Sequence, residues 1–426
     1  MLVAVVMLFV VGAMAALSID VVTIYTARSE AQLAADAAAL AAARVLANSG
    51  ATSDPNSLSD NLMTNAQTLA QTVAIQVAEQ NQVGGVNLTG VNIAAPAFGG
   101  TYTNPTVTVS VQVTNLPTFF ARIWGTKFLT VGASATAEAY NPSGSSGTPP
   151  VAPMCVKPWL LPNIDPTQPA TATAPPAIFN SDGSIVNPGL VGQGWPSAIP
   201  ALNQNGLFHI GIGTAPVPGR YYAGVIDADD FPEPTQALPA CSAGFSTYPY
   251  MVAIAGCVPR PISCGAGATI NIATGYASKT GSRNGDTVEA AECLIHYDSA
   301  PGDTDSIDAT AVPSPPLQFR AGAENPVVLS GALAAGADIM VSDSLVTIPV
   351  YNSTTGTPPT NPVTVIGFLQ VFLNPAALSM PQTYAGTANQ IPVTIVNMAG
   401  CGTAATGTPI LGNGASPVTV RLISPP

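Results

Sequence analysis

Few residues in this chain carry the groups that catalysis needs. It has two histidines, His209 and His296, far apart in sequence. Neither lies in an HExxH helix, and neither has the serine and carboxylate neighbours of a nucleophilic triad. His209 stands between Phe208 and Ile210, the setting of a core or surface histidine more often than of a proton-transfer group. There is no GxSxG elbow, no phosphate-cradling P-loop and no GxGxxG after a strand. Carboxylates do cluster, at Asp227, Asp229 and Asp230 and again at Asp298, Asp303, Asp305 and Asp308. Calcium takes hard oxygen donors of this kind, which makes Asp303, Asp305 and Asp308 calcium candidates. The EF-hand and nonapeptide spacings are missing, and a solvated acidic loop explains the same residues. No other cofactor or metal is implied, and catalysis is not expected.

The six cysteines, Cys155, Cys241, Cys257, Cys264, Cys293 and Cys401, form no CxxC pair. That argues against a redox motif or a zinc ribbon and for structural disulfides outside the cytoplasm. The expectation is three bridges, with local pairing among the four central cysteines and Cys155 to Cys401 as a long closure. Only 8% of residues are charged, against roughly 25% in an ordinary soluble domain. Eleven Lys and Arg face 23 Asp and Glu, a net charge of −12. With no basic stripe, nucleic-acid binding has no electrostatic footprint. Pro (41) and Gly (39) are close to a fifth of the 426 residues, which implies short elements and many turns.

The elements that position these groups begin with the N-terminus. Residues 1–19, MLVAVVMLFVVGAMAALSI, hold no charge, and the apolar character continues past Asp20 to Tyr25. About 20 apolar residues span a bilayer. A secretory signal would have a basic start, a shorter apolar run and a cleavage site; here there is no basic start, and no proline or turn follows the apolar run. The helix pattern continues through residues 26–50, TARSEAQLAADAAALAAARVLANSG, with Asn48 to Gly50 as a stop signal. A continuous helix from about Leu2 to Ala47 is expected, roughly 70 Å long, half of it in lipid. Its alanines, from Ala27 to Ala42, leave a surface that another backbone can approach closely. That surface suits either packing between subunits or packing on the chain's own sheet. Asp20 is an ionisable group in an apolar segment, which requires a partner. Counted along the helix, it also falls where the span meets the outer interface.

Residues 12–46, GAMAALSIDVVTIYTARSEAQLAADAAALAAARVL, resemble the N-terminal region of TadG-like proteins of the Tad/Flp pilus system. The likeness lies in the order of features: an apolar span closing on Leu17, Asp20 and Tyr25, then Arg28 and Gln32, then Ala35, Asp36, Ala38, Ala39, Leu40 and Ala41. Residues 116–140, LPTFFARIWGTKFLTVGASATAEAY, resemble the close of the same module, and fainter similarity continues through 155–163 and 365–373. The resemblance implies a pseudopilin-like protein whose assembly helix includes Asp20, Arg28, Asp36 and Leu40, and Leu33, seven residues before Leu40, shares its face of the helix. Two departures stand out. An ordinary type IV pilin has a basic leader and a glutamate early in its apolar helix, whereas the first glutamate here is Glu30. The DxSxS metal motif of von Willebrand-type domains is missing.

The remainder divides into modules. Residues 57–81 read as a second helix on Leu58, Leu62, Leu69, Val73 and Val77. Residues 106–113, TVTVSVQV, alternate cleanly and predict a half-buried strand, as do 127–139. Short β runs are expected at 208–212, 251–255, 345–350, 363–373, 391–397 and 418–423, with no helix among them. The fold class expected is α+β: a long N-terminal membrane or pilin-like helix on a small antiparallel sheet, then all-β C-terminal modules. The long helix occupies residues 1–50, of which 1–25 lie in membrane or filament core. The rest of the pilin-like unit covers 51–140, a Pro/Gly/Ser linker 141–153, and one or two displayed β modules 154–426. The function expected is a non-enzymatic subunit in a bacterial cell envelope, anchored in the inner membrane with its bulk outside. Its partners are the membrane, further copies or other pilins, and not nucleic acid. An adhesin on a pilin-like anchor is the first alternative and an anchored hydrolase the remote one.

Overall fold

The long helix forms without interruption. In the computed structural model, which describes residues 2–56, 62–143, 149–166, 174–191, 209–212, 220–226, 238–273, 278–280, 283–297, 302–307, 318–354, 360–373, 391–411 and 415–423, helix α1 runs Leu2–Asn48. No proline precedes Pro55, and Gly12 is the one glycine before Gly50, so nothing in the run breaks the hydrogen-bond ladder. Gly50 ends it at φ 79°, the left-handed conformation that glycine adopts freely after a helix. A Cβ there would stand 2.4 Å from Cγ1 of Val191.

Helix α2, Leu62–Glu79, packs on α1 through small residues. Ala66, Ala70, Ala74 and Ala78 are fully buried and face a core that includes Ala27, Ala31, Ala34, Ala35, Ala38 and Ala42 of α1. The i, i+4 spacing makes a ridge without bulk, which lets the two helices approach closely. Leu69 and Val73, which carried the sequence pattern, are only partly buried at its margin.

Three strands follow: β1 Ala97–Gly100, β2 Pro105–Pro117 and β3 Phe128–Tyr140. In β2, Val107, Val109, Val111 and Val113 are buried against the alanine core. Their alternates carry the polar ladder Thr108–Thr136 and Ser110–Ser134 across to β3. The fourth strand of this antiparallel sheet comes from the far end of the chain, described below.

The region from Trp159 onward builds a second core. Strands β4 Trp159–Pro162, β5 His209–Ile212, β6 Arg220–Ala223, β7 Leu345–Tyr351, β8 Val363–Leu373 and β9 Ile391–Gly400 form a sheet ordered β8-β7-β4-β6-β5-β9. It closes on itself because β9 also pairs with β8. The β7–β4 and β5–β6 pairs are parallel and the others antiparallel. Nearly all of β8 is buried, which is why it reads as a continuous apolar run rather than an alternating one.

This region is mostly β but contains helices that the sequence pattern does not announce. Residues 251–255, expected as a strand, are helical within α3, Pro249–Ala255. A short run buried all round, YMVAIA, has no periodicity to separate helix from strand, and Pro249 favours a helix start. Helix α4, Arg283–Leu294, packs beside α3 in the same core. The buried Asp286 in its first turn accepts N–H bonds from Lys279 and Thr280. The last strand, β10 Thr419–Ile423, returns to pair with β3, where Arg421 lies across from and bonds Glu138. The helix-and-sheet unit is therefore completed by residues near the C-terminus. Within the stretch expected as linker, Val151–Ala152 pairs in parallel with Ile410–Leu411.

Buried amides join the two cores. Asn397 Nδ2 donates to the Ala47 carbonyl at 2.6 Å, a helix-end acceptor otherwise without an intrahelical partner, and to Gln370 Oε1 at 2.7 Å. Asn141 Nδ2 donates to the carbonyls of Thr52 and Met398. Ser53 Oγ both donates to Met398 O and accepts from Met398 N.

All six cysteines are paired, as Cys155–Cys257, Cys241–Cys293 and Cys264–Cys401. The expected count holds, while the Cys155–Cys401 closure is replaced. The Cys155 N–H donates to the Val258 carbonyl, which sets Cys155 beside Cys257. Gly265 N–H donates to Val365 O and Ala266 N–H to Ala405 O, which sets Cys264 beside Cys401 at the end of β9. Only Cys241–Cys293 is internal to the central four.

Candidate functional site

The site is the length of α1 that the rest of the chain leaves uncovered. Val3, Met7, Val10, Val11, Met14, Leu17, Ile19, Val21, Val22 and Tyr25 are all exposed. By length and composition α1 can cross a membrane, and only 11% of its apolar window is buried. Soluble folds do not leave such a contiguous apolar surface bare.

Burial begins at Asp20, which is 3% exposed. Its carboxylate accepts the backbone N–H groups of Phe119 (2.8 Å), Phe120 (2.9 Å) and Ala121 (2.6 Å). These amides open the short 3-10 turn Ala121–Trp124, whose first N–H groups have no partner within the turn and favour an anion. The turn is closed on itself as well: Thr118 N–H donates to Lys127 O, and Thr126 N–H to Ala121 O. Asp20 thus finds its partner in backbone dipoles from the β2–β3 connection rather than in a cation or bulk water. Two segments singled out separately in the sequence, around Asp20 and around 116–128, are one structural feature. The signal for the missed contact was a charge within an apolar run, together with a connection, TFFARIWG, that holds no acidic residue.

Above Asp20, α1 divides into two faces. The alanine face is buried within the chain's own core. Glu30 Oε2 accepts the Gly84 N–H at 2.6 Å and ties α1 to the turn after α2. The other face carries the remaining assembly candidates. Arg28 is exposed. Gln32 Nε2 donates to Asp36 Oδ1 at 2.7 Å, and Leu33 is 63% exposed. Leu40 is partly buried and lines a groove with Ala37, Ala41, Arg44, Met340 and Val420. The structure thus leaves Leu33 open, sets Arg28 in a groove beside the sheet with Asn92, Ser110 and Ser134, leaves Asp36 half-buried, gives Leu40 a structural setting, and turns Asp20 inward.

The chemistry candidates elsewhere have structural partners. Asp305 is buried and accepts from Gly322 N–H, from Asn325 Nδ2 and from Ser342 Oγ at 2.6 Å. These donors surround the carboxylate of one calcium candidate. Asp303 holds the following turn through its carbonyl, which accepts the Glu324 N–H, and Asp308 lies outside the described residues, as do Asp227, Asp229 and Asp230. Among the described residues no group of three His, Cys, Asp or Glu could hold a metal. His296 closes α4 at φ 57° and its Nε2 lies 2.9 Å from Asp343 Oδ2.

Residues 1–45 match the Tad family, described as putative Flp pilus-assembly TadE/G-like. No curated protein and no solved structure matches the chain. The TadG-like resemblance read from the sequence therefore holds for the long helix. Together the family match, the bare apolar helix and the three disulfides fit a Tad-related structural protein, membrane-anchored with its disulfide-bonded region outside the cytoplasm.

Proposed function

We propose that this chain is a non-enzymatic, pseudopilin-like subunit of a Tad/Flp-type pilus or related surface filament. The uncovered apolar length of α1 is the observation that carries the reading, since a surface of that kind requires lipid or neighbouring helices. Residues 1–25 hold the chain in the inner membrane and enter the filament core on assembly. Arg28, Leu33 and Asp36 meet adjacent subunits, and the disulfide-bonded β region is displayed outside. The Tad match over residues 1–45 supports the same reading. Many displayed copies raise avidity without any new contact, so the β region needs no active site to be useful at a surface.

The test is to shear surface material from intact cells and identify its subunits by mass spectrometry. The chain, carrying its apolar helix, is expected in the sheared fraction and in washed membranes. Recovery solely as a soluble monomer would overturn the proposal.

A further inference from the structure

The apolar stretch of α1 runs out at one level of the molecule, and the Asp20 contacts pin a second segment to that same level. A hydrocarbon core of about 30 Å takes about 20 helical residues. Burial of α1 begins at Asp20 while its run of exposed aliphatic side chains ends at Val21 and Val22, so the span closes near Asp20 to Val22. Three backbone bonds to Asp20 hold the β2–β3 connection against α1 there. Phe119 at 65% and Phe128 at 56% exposure sit at the two ends of this connection and point away from the core. Arg122 and Lys127 lie between them, both exposed. Residues 118–128 contain no Asp or Glu in a chain whose net charge is −12, so this is a locally basic, aromatic patch on an acidic protein. Tyr25 is exposed on α1 slightly beyond the same level. Aromatic rings concentrate at the headgroup level of bilayers, and basic side chains near a membrane surface are attracted to anionic lipid.

Resting on the reading that α1 spans the membrane, we infer that residues 118–128 form a membrane-contact loop. Phe119 and Phe128 seat in the interfacial layer of the bilayer that α1 crosses. Arg122 and Lys127 meet the phosphates of anionic lipids, and Asp20 is the positioning residue that sets the loop's depth. The occupant is lipid because the patch continues the apolar surface of α1 and carries the charge sign that anionic headgroups attract.

The test uses the full chain reconstituted in phosphatidylcholine–phosphatidylglycerol vesicles. Because the native cysteines are all in disulfides, a nitroxide can be placed on single introduced thiols: Phe119→Cys, Phe128→Cys, Met14→Cys and, as an aqueous reference of matching 65% exposure, Leu329→Cys. Collision with oxygen reports lipid, and collision with a water-soluble nickel chelate reports water. Positions 14, 119 and 128 are expected to favour oxygen, and 329 nickel. Adding Arg122→Gln and Lys127→Gln, or omitting phosphatidylglycerol, should move 119 toward the value at 329 and leave 14 unchanged. Adding Asp20→Asn should also shift 119 without moving 14. If 119 and 128 behave like 329 while 14 stays in lipid, the loop inference fails and the anchor reading survives. Low access of 119 and 128 to both reagents would mean a protein-covered surface and would also overturn it. If 14 behaves like 329, the anchor reading fails and takes the loop with it.

Discussion

Asp20 occupies a place where a charge is costly, and three backbone N–H groups make it tolerable. A carboxylate offers two oxygens to three amides, while an alanine offers nothing. In Asp20→Ala the amides of Phe119, Phe120 and Ala121 should exchange with solvent deuterium markedly faster, with no change at Val107 to Val113. Unchanged exchange at 119–121 would show that the turn holds itself. A second charge is buried at Lys157, whose ammonium donates to the carbonyls of Ile254 (2.6 Å) and Gly256 (2.7 Å). Burial pushes its pKa down to about 7, with Asp343 opposing the shift. The folded chain gives up this proton near pH 7 and the unfolded chain near the ordinary lysine value of about 10.4. Between those values the unfolded state binds more protons, so stability rises with pH, by at most about 1.4 kcal/mol per unit for one proton. Denaturant midpoints at pH 7 and pH 9 should show this gain in the native chain and a smaller one in Lys157→Met. Equal gains would assign the pH dependence to other groups.

At the scale of elements, the outward face of α1 carries an apolar side chain that the fold does not need. Leu33 is open to solvent, so Leu33→Asp should change folding stability by no more than about 0.5 kcal/mol while removing the chain from surface assemblies. Leu40→Asp differs, because Leu40 is partly buried in a groove it lines with Met340 and Val420 and the substitution burdens the fold. Normal surface levels of Leu33→Asp would refute the assembly face. Much of this arrangement was legible in the sequence: α1 from its unbroken helix formers, β2 from the Thr-Val alternation, and β7 to β9 from apolar runs. What escaped did so for physical reasons. The α2 core face is Leu62 followed by alanines, so the other large residues of the pattern, Leu69, Val73 and Val77, lie at its margin. Helix α3 is apolar on every side and carries no period. Disulfide partners depend on which strands become neighbours, which local pattern does not encode. The Asp20 contact joins residues about a hundred positions apart, and neither segment names the other.

For the whole molecule, the completion of the first sheet by β10 and the buried bonds from Asn397, Asn141 and Ser53 mean that the C-terminal β region and the long helix share structure. Bridges closing 52, 102 and 137 residues restrict the unfolded chain, each by a typical 2–4 kcal/mol, and suit a region that lies outside the cytoplasm. The apolar length of α1 and the open Leu33 beyond it are what this architecture leaves uncovered, and contact of the helix at Leu33 with other subunits is the central claim. Photocrosslinking in living cells tests it most directly, with a benzophenone amino acid at Leu33 and, as a reference, at the equally open Leu329. Irradiation at Leu33 should give discrete adducts to a second copy of the chain or to another pilin-like subunit, and Leu329 should give none of these. A Leu33 pattern no different from that of Leu329 would contradict the account.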